Sequence, residues 1–381
     1  MRILLVTNYQ PPHLGGIECA AESLKKWWER DGLAVTWLTT DIPPGRRESA
    51  PDNVRIPANN WLERKWQINS PIPRVRSLPL VRRLIRSHDV VNVHSLAPGL
   101  GSLALWMAVR MRRPAVATQH VGIIPLRYRA FSIAQEKFLC RLARWSVGRG
   151  VPLTFVGKTV RQWFVEHAGL PEGRLPMTPA GIDHDTFAFV SEDERREMRR
   201  KWELGDDRFN VLYIGRFYRK KGIPILREVA ARCPEVAFTF VGGGPEKESL
   251  LGLPNARVIK FVPTEELRGL YGAHDLFVMP SIGEGWPAVV PQAMACGLGC
   301  LISEETFQGY GEHAERFIVR PRDAARIVDT LRQAAAGALP VLRDRRALSD
   351  FALRTWDWQR TARIYANLFE QAIKDVSCLS D

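Results

Sequence analysis

The run Phe209-Asn-Val-Leu-Tyr-Ile214 is apolar and β-branched enough to form a buried strand, and it breaks at Gly215 into a basic loop, Arg216-Phe-Tyr-Arg-Lys-Lys-Gly222, that leads directly into a helical segment. A strand, a loop and a helix in that order bring the next strand back parallel to the first, with the helix lying over the sheet. The unit recurs. Val236–Val241 predicts a second such strand, running into Gly242-Gly243-Gly244-Pro245 and a helix with Glu246 and Glu248 in its first turn. Earlier in the chain, strands are expected at about 2–7, 34–39, 89–94, 115–119 and 153–156, alternating with helical patterns at 17–31, 98–111 and 130–147. The chain is therefore α/β, with two doubly wound Rossmann-like halves at 1–188 and 189–355. An exposed helical connection rich in Glu, Asp and Arg is expected at 190–208, and a last helical segment at 358–375. With 381 residues, 45% of them hydrophobic, the chain can bury two sheets in domains of ordinary size.

In an open parallel sheet, ligands gather beyond the carboxyl ends of the strands. The loop after Ile214 offers Arg216, a bidentate fork, and Lys221, a point charge, the two complementary ways of holding a diphosphate. Arg219 and Lys220 fit an ordinary solvated turn. The glycines at 242–244 let a ligand or another loop come close, and a plain tight turn explains them as well. Residues 281–297 carry an acidic loop into a helix expected to start near Val289 or Val290. There Glu284 stands between Gly283 and Gly285, and the first N–H groups of the helix face the same space. A carboxylate with N–H donors suits the hydroxyls of a sugar, although an acidic turn beside an exposed glutamine has the same appearance. Gln292, about one turn into the helix, can reach a second part of one ligand.

In the first half, Pro11-Pro-His-Leu-Gly15-Gly16 closes the first strand and opens the first long helix, an arrangement suited to an anion. It is not GxGxxG, which leaves a nicotinamide-binding reading weak. His120 ends the strand-like run Ala115–Gln119 and precedes Val121-Gly122, at the carboxyl edge of the first sheet. A lone histidine there is ordinarily structural, as His94 is expected to be.

Residues 61–160 hold seventeen basic and three acidic residues, so this block alone accounts for the chain's net charge of +13. Arginines such as Arg82, Arg83 and Arg86 are mixed with Trp61, Trp66, Trp106, Arg127, Tyr128 and Trp145, a composition that suits an anionic membrane surface. Scattered solvated arginine is the plainer alternative. No helix-turn-helix, RNA-binding aromatic motif or zinc module accompanies the charge, so nucleic acid is not expected as a partner. The six cysteines show neither paired short spacings nor a Cys/His metal pattern and are expected to be reduced, mostly buried thiols. The apolar run at the N-terminus turns polar at Asn8, too short for a signal peptide or a membrane span, which points to the cytosol.

Several motifs in one order go further than any single loop. Gly15-Gly16-Ile-Glu18, Asp89-Val-Val-Asn-Val-His94-Ser95, His120-Val-Gly122 and Gly181-Ile-Asp183 with Phe187 are followed by Gly215-Arg216 with Lys221-Gly222 and by Val241-Gly-Gly-Gly-Pro245. Glu265-Glu266-Leu267, Tyr271, Asp275, Pro280-Ser281, Glu284-Gly-Trp-Pro287 and Ala293-Met-Ala-Cys-Gly297 complete the set. Together they closely resemble the family 4 glycosyltransferases, over nearly the whole chain. The resemblance implies the GT-B fold, two Rossmann-like domains facing an interdomain cleft, with the terminal segment 356–381 crossing back onto the first domain. It implies a retaining, metal-independent transfer from a UDP- or GDP-sugar to a glycan or lipid-borne hydroxyl, at the cytoplasmic face of the membrane. On this chain Arg216 and Lys221 would neutralise the donor diphosphate and Glu284 would bind the donor sugar. The amides of Gly285, Trp286, Pro287 and Ala288 would fix its far side, Gly243 and Val262 would join the donor pocket, Gly15 and Gly16 would meet the phosphate from the opposite domain, and His120 would position the reacting sugar. Two positions depart from the family: Gln292 replaces a second glutamate that normally holds the nucleotide ribose, and Ala180 replaces a frequent asparagine. Glutamine lacks the charge that strengthens such hydrogen bonds. That substitution keeps a non-catalytic sugar-nucleotide-binding protein in view beside the enzyme, and a nucleotide-sugar epimerase of the same fold is the other rival.

Overall fold

The computed structural model of the chain describes residues 1–11, 15–42, 52–62, 70–122 and 129–378. Two units emerge. One holds the residues up to Ala180 together with the helix Trp358–Cys378, and the other runs from Gly181 to Asp357.

In the first unit the strands are β1 (Arg2–Val6), β2 (Ala34–Thr40), β3 (Asn53–Ile56), the two-residue β4 (Ala58–Asn59) and β5 (Ile72–Pro73), β6 (Val90–His94), β7 (Ala115–Gln119) and β8 (Leu153–Phe155). Six of them form one parallel sheet in the order β3-β2-β1-β6-β7-β8, while β4 and β5 pair antiparallel on their own. Residues Ile3 to Val6 of β1 are fully buried, because helices on both faces of a parallel sheet demand continuous apolar strands rather than alternating ones. Trp28, on the helix Gly16–Arg30, donates from its indole nitrogen to the Ala362 carbonyl and meets the rings of Tyr365 and Phe369 edge-on. Those contacts seat the last helix on the first unit.

The second unit repeats the order. Its strands are β9 (Phe209–Ile214), β10 (Val236–Val241), β11 (Ala256–Ile259), β12 (Leu276–Met279), β13 (Cys300–Ser303) and β14 (Ile318–Arg320), arranged β11-β10-β9-β12-β13-β14 and parallel throughout. In such a sheet the winding reverses once, between β1 and β6 in the first unit and between β9 and β12 in the second. Loops leaving that pair diverge to opposite faces and leave a crevice at the strand ends.

Three expectations change in detail. The first unit ends eight residues before 188, because Ile182 donates its N–H to the Trp356 carbonyl and Ile182 and Phe187 pack into the second core. The turn after Gly244 is a short 3₁₀ segment, Lys247–Leu250, rather than an α-helix with Glu246 and Glu248 in its first turn, and Gly252 closes it in the left-handed region. The connection at 190–208 contains the helix Glu192–Lys201, started by a reciprocal Ser191 and Glu194 cap, but it is not simply solvated. Arg195 donates to the carbonyls of Gly272 and His274, Arg199 to that of Ala273, and both pair with Asp275, so the guanidinium forks close the carbonyl end of the helix Thr264–Ala273. The cysteines are free thiols, four of them buried.

Three buried histidines are held neutral. Burial pushes His120 and His274 down to about 4, and His94 falls well below its ordinary value through burial and then through repulsion by His120. An unfolded histidine binds its proton near pH ~6.5, so the unfolded chain carries more protons than the folded one between about pH 6.5 and 4. Stability should therefore be fully present above that window and fall as the pH drops through it. Urea unfolding at steps across the window should show this slope, and His274→Gln should flatten it; an equal slope in the variant would show that His274 titrates freely in the fold.

Candidate active site

The crevice between β9 and β12 is built from glycine contacts. After β9, Gly215 donates to the Val241 carbonyl at 3.0 Å and Phe217 to the Gly243 carbonyl at 2.8 Å, which ties the basic loop to the triple glycine. A Cβ on Gly242 would stand 2.0 Å from the Gly215 oxygen, and one on Gly244 2.5 Å from the Phe217 oxygen, so both positions exist for this approach of two loops. Gly243 faces open space. The basic chain then tightens into a 3₁₀ turn, Arg219–Lys221, and leaves it through Gly222 at φ 81°, where a side chain would strike the Pro280 carbonyl. Ile282 donates to the Lys220 carbonyl at 2.9 Å, and the loop after β12 is thereby stitched to the loop after β9.

The same β12 loop is anchored from its other side. Ser303 and Thr306 donate their hydroxyls to the Ser281 carbonyl, Tyr310 donates to the Pro287 carbonyl at 2.8 Å, and a Cβ on Gly309 would lie 2.7 Å from the Gly285 oxygen. Trp286 packs edge-on against Tyr310 and Trp356, so its ring is an anchor of the loop. Pro287 is buried and has no N–H, which removes it from the expected set of amide donors and leaves Gly285, Trp286 and Ala288. The helix that follows, Val289–Ala295, begins where the sequence pattern places it, but it is only seven residues long and Val290 already donates to the Pro287 carbonyl.

Between these two loops Lys221 Nζ meets Glu284 Oε1 at 2.6 Å, with the side chains 15% and 12% exposed. The predicted phosphate cation and the predicted sugar carboxylate are thus one ion pair in this structure. Arg216 is exposed at the rim, its guanidinium 5.4 Å from the Tyr218 ring centre. Lys220 is next to Lys221 in the chain: partial burial of its ammonium lowers its pKa, Lys221 and Arg216 push the same way, and Glu284 opposes them. Its side chain is nevertheless exposed, as the solvated-turn reading expects. Arg219 matches that description, pointing to solvent 3.9 Å from Glu246.

Gln292 lies deeper. The hydroxyl of the buried Tyr271 donates to its Oε1 at 3.4 Å, so the amide oxygen is engaged from below and Nε2 remains as the donating end. A ligand hydroxyl would meet a donating Nε2 and the remaining lone pair of Oε1 here, where a glutamate would offer acceptors only. Val262 is buried among the residues of the second core, and Ala180 is buried at the end of the first unit.

In the first unit, a Cβ on Gly16 would meet nothing within 4 Å among the described residues, whereas the Glu18 carboxylate folds back over Gly15, 2.1 Å from where a Cβ would stand. The start of the helix Gly16–Arg30 thus carries its own anion. Pro12, His13 and Leu14 of the same loop lie outside the described residues. His120 follows β7, is buried, and lies 2.8 Å by Nε2 from His94 Nδ1. Among the described residues no group of three His, Cys, Asp or Glu side chains is arranged to hold a metal ion.

Two six-stranded parallel sheets of the same winding, the second with the Lys221–Glu284 ion pair at its switch point, have the architecture of the GT-B glycosyltransferases. Residues 14–186 match the glycosyltransferase family 4 and residues 208–336 the glycosyl transferases group 1. The chain is 31% identical over 326 residues to the GDP-mannose-dependent alpha-(1-6)-phosphatidylinositol monomannoside mannosyltransferase of Mycolicibacterium smegmatis, an alignment that spans 78% of each chain. It is 28% identical over 389 residues, 93% of each chain, to the enzyme of the same name from Mycobacterium tuberculosis. Its fold is similar to that of sucrose-phosphate synthase from Thermosynechococcus elongatus, with a TM-score of 0.75 at 18% identity over 98% of this chain and 99% of that one. The chain belongs to the family 4 glycosyltransferases.

Because the two charges are largely withdrawn from water, removing one leaves the other poorly compensated. Lys221→Met should destabilise the fold by about 1–3 kcal/mol, and Glu284→Gln in the same background should restore part of the loss. A double-mutant cycle by urea unfolding reads the coupling directly. Additive effects would show that the pair contributes nothing.

Proposed function

We propose that the chain transfers a hexose, with retention of anomeric configuration and without a metal, from a nucleotide diphosphate sugar to a hydroxyl of a glycolipid or cell-envelope glycan precursor at the inner face of the cell membrane. The observation that carries this reading is the 2.6 Å contact of Lys221 with Glu284 at the β9/β12 switch point. A sugar nucleotide satisfies both charges when it separates them: phosphate oxygens take the ammonium, and sugar hydroxyls donate to the carboxylate. Arg216, already exposed at the rim, adds a fork for the second phosphate. As the glycosidic bond breaks, negative charge grows on the departing phosphate, and fixed cations there stabilise the transition state more than the ground state. The leaving phosphate oxygen accepts the proton of the acceptor hydroxyl, which attacks from the same face. Lys220 enlarges the positive field around this oxygen. The mycobacterial relatives are GDP-mannose-dependent, which favours a guanosine nucleotide and mannose as the first donor to examine.

Titration calorimetry with GDP-mannose and with GDP separates the roles. Glu284→Gln should weaken the sugar nucleotide by about 1–3 kcal/mol while GDP binds at least as tightly as before, since Lys221 is released to the diphosphate. Equal losses for both ligands would sink the assignment of Glu284 to the sugar. Alongside, transfer to a lipid-borne acceptor with an α-linked product from the α-linked donor is the positive result; binding without turnover would return the binding-protein reading, and hydrolysis alone would sink the transfer.

Support for a lipid surface comes from the first unit. The helix Leu78–Ser87 exposes Arg82, Arg83 and Arg86, and these line a groove of about 700 Å³ with Leu78, Pro79 and Met107. No carboxylate is among the described residues that line it. Val75, Leu80 and Trp106 are exposed on the same or neighbouring elements, so apolar and basic groups occur side by side, as headgroup-level contact requires. Trp66, Arg127 and Tyr128 lie outside the described residues, and Arg113 is engaged with the His88 carbonyl. Among the described residues no helix is long and apolar enough to cross a membrane. Binding to vesicles should rise with acidic lipid and fall as salt shortens the Debye length from about 10 Å at roughly 0.1 M to about 3 Å at roughly 1 M. Replacing Arg82, Arg83 and Arg86 together should abolish that dependence and spare GDP affinity; equal, weak co-sedimentation with neutral and acidic vesicles would leave a plain arginine-rich surface.

A further inference from the structure

We infer that Asn92 and His94 are positioning residues that fix His120 as its Nε2–H tautomer, so that His120 presents Nδ1 to the substrate as a hydrogen-bond acceptor. The side chains come from neighbouring strands. Asn92 and His94 alternate to one face of β6, and His94 pairs in register with Thr118 of β7, two residues before His120.

The chain of hydrogen bonds has only one consistent direction. Asn92 Nδ2 donates to the Val116 carbonyl at 3.3 Å, which orients the amide and leaves Oδ1 facing His94 Nε2 at 2.7 Å. An amide oxygen only accepts, so His94 Nε2 carries the proton. Burial keeps His94 neutral, and a neutral imidazole has one N–H, so its Nδ1 is a lone pair. His120 Nε2, 2.8 Å away, must then be the donor. The neutral His120 ring has no second proton to place, and its Nδ1 is left as an acceptor, able to receive a hydroxyl proton in a hydrogen bond and unable to donate one.

The rings are also held in place. His94 lies 5.0 Å from His120 and is stacked at 6.2 Å on Tyr365 of the last helix. The Tyr365 hydroxyl is fixed in turn by Thr118 at 3.0 Å and Thr178 at 3.1 Å. Use of His120 Nδ1 by a sugar or acceptor hydroxyl rests on the transferase reading above; the tautomer itself does not.

Long-range ¹H–¹⁵N correlation spectra of the full chain labelled at histidine nitrogen distinguish the two tautomers, with His94→Gln and His120→Gln supplying the assignments. At pH 7–8 both His94 and His120 should show the Nε2–H pattern. Asn92→Leu, which removes the acceptor, should convert His120 into a mixture of tautomers, and Asn92→Asp, which keeps an acceptor, should restore the single form. In transfer assays Asn92→Leu should lower kcat severalfold with KM for the donor little changed, and Asn92→Asp should recover most of it. An Nδ1–H His120 in the unaltered chain, an unchanged tautomer in Asn92→Leu, or undiminished turnover by that variant would each overturn the inference. Because the spectra need no turnover, they separate its failure from failure of the proposed reaction.

Discussion

The bare Cα of Gly222 lets the two loops on which the second unit's site is built come together. With no Cβ to strike the Pro280 carbonyl, the loop after β9 can lie against the loop after β12, and Lys221 is delivered to Glu284. Everything else around the site serves that meeting. Gly242 and Gly244 admit the backbone of residues 215 to 217, while Ser303, Thr306 and Tyr310 hold the carbonyls of the β12 loop from the far side. Most of these contacts involve main-chain atoms, which side-chain substitution cannot easily move, so charge placement depends little on the flexible stems of lysine and glutamate.

The fold was legible in the sequence because a parallel sheet covered on both faces writes its strands as mostly apolar, β-branched or aromatic runs. Arg2–Val6, Val236–Val241 and Phe209–Ile214 needed nothing beyond that. Glu284 and Lys221 could be picked out as candidates too, each beside a glycine in a loop that ends a strand. Their contact was not legible, since about sixty residues of intervening chain say nothing about which loops meet; that depends on β12 lying next to β9 in the sheet. Gln292 could be named as a candidate, but the contact of its amide oxygen could not, because that contact comes from Tyr271 on another helix. The helical connection was taken for a solvated one since its arginines and glutamates carry no mark of the Asp275 and helix-end carbonyls that receive them.

The histidines show the same limit from the opposite side. His94 was read as structural and His120 as a positioning group, and the structure joins them into one polar line from Asn92. A buried imidazole is a small binary device: its one proton must sit on one nitrogen or the other, and whichever neighbour can only accept decides the matter. A residue three bonds removed from a ligand can thereby set what the ligand meets, without charge and without motion.

The pairing of Lys221 with Glu284 bears on how the proposed reaction would end. After transfer of the hexose, a nucleoside diphosphate on Lys221 would offer nothing to Glu284, whose carboxylate would face phosphate oxygens of its own sign. Re-forming the lysine–glutamate pair would then compete with that product. On this reading the site would carry its own competitor, stronger against the spent nucleotide than against the loaded one, and the carboxylate that recruits the sugar would also hasten departure of the by-product.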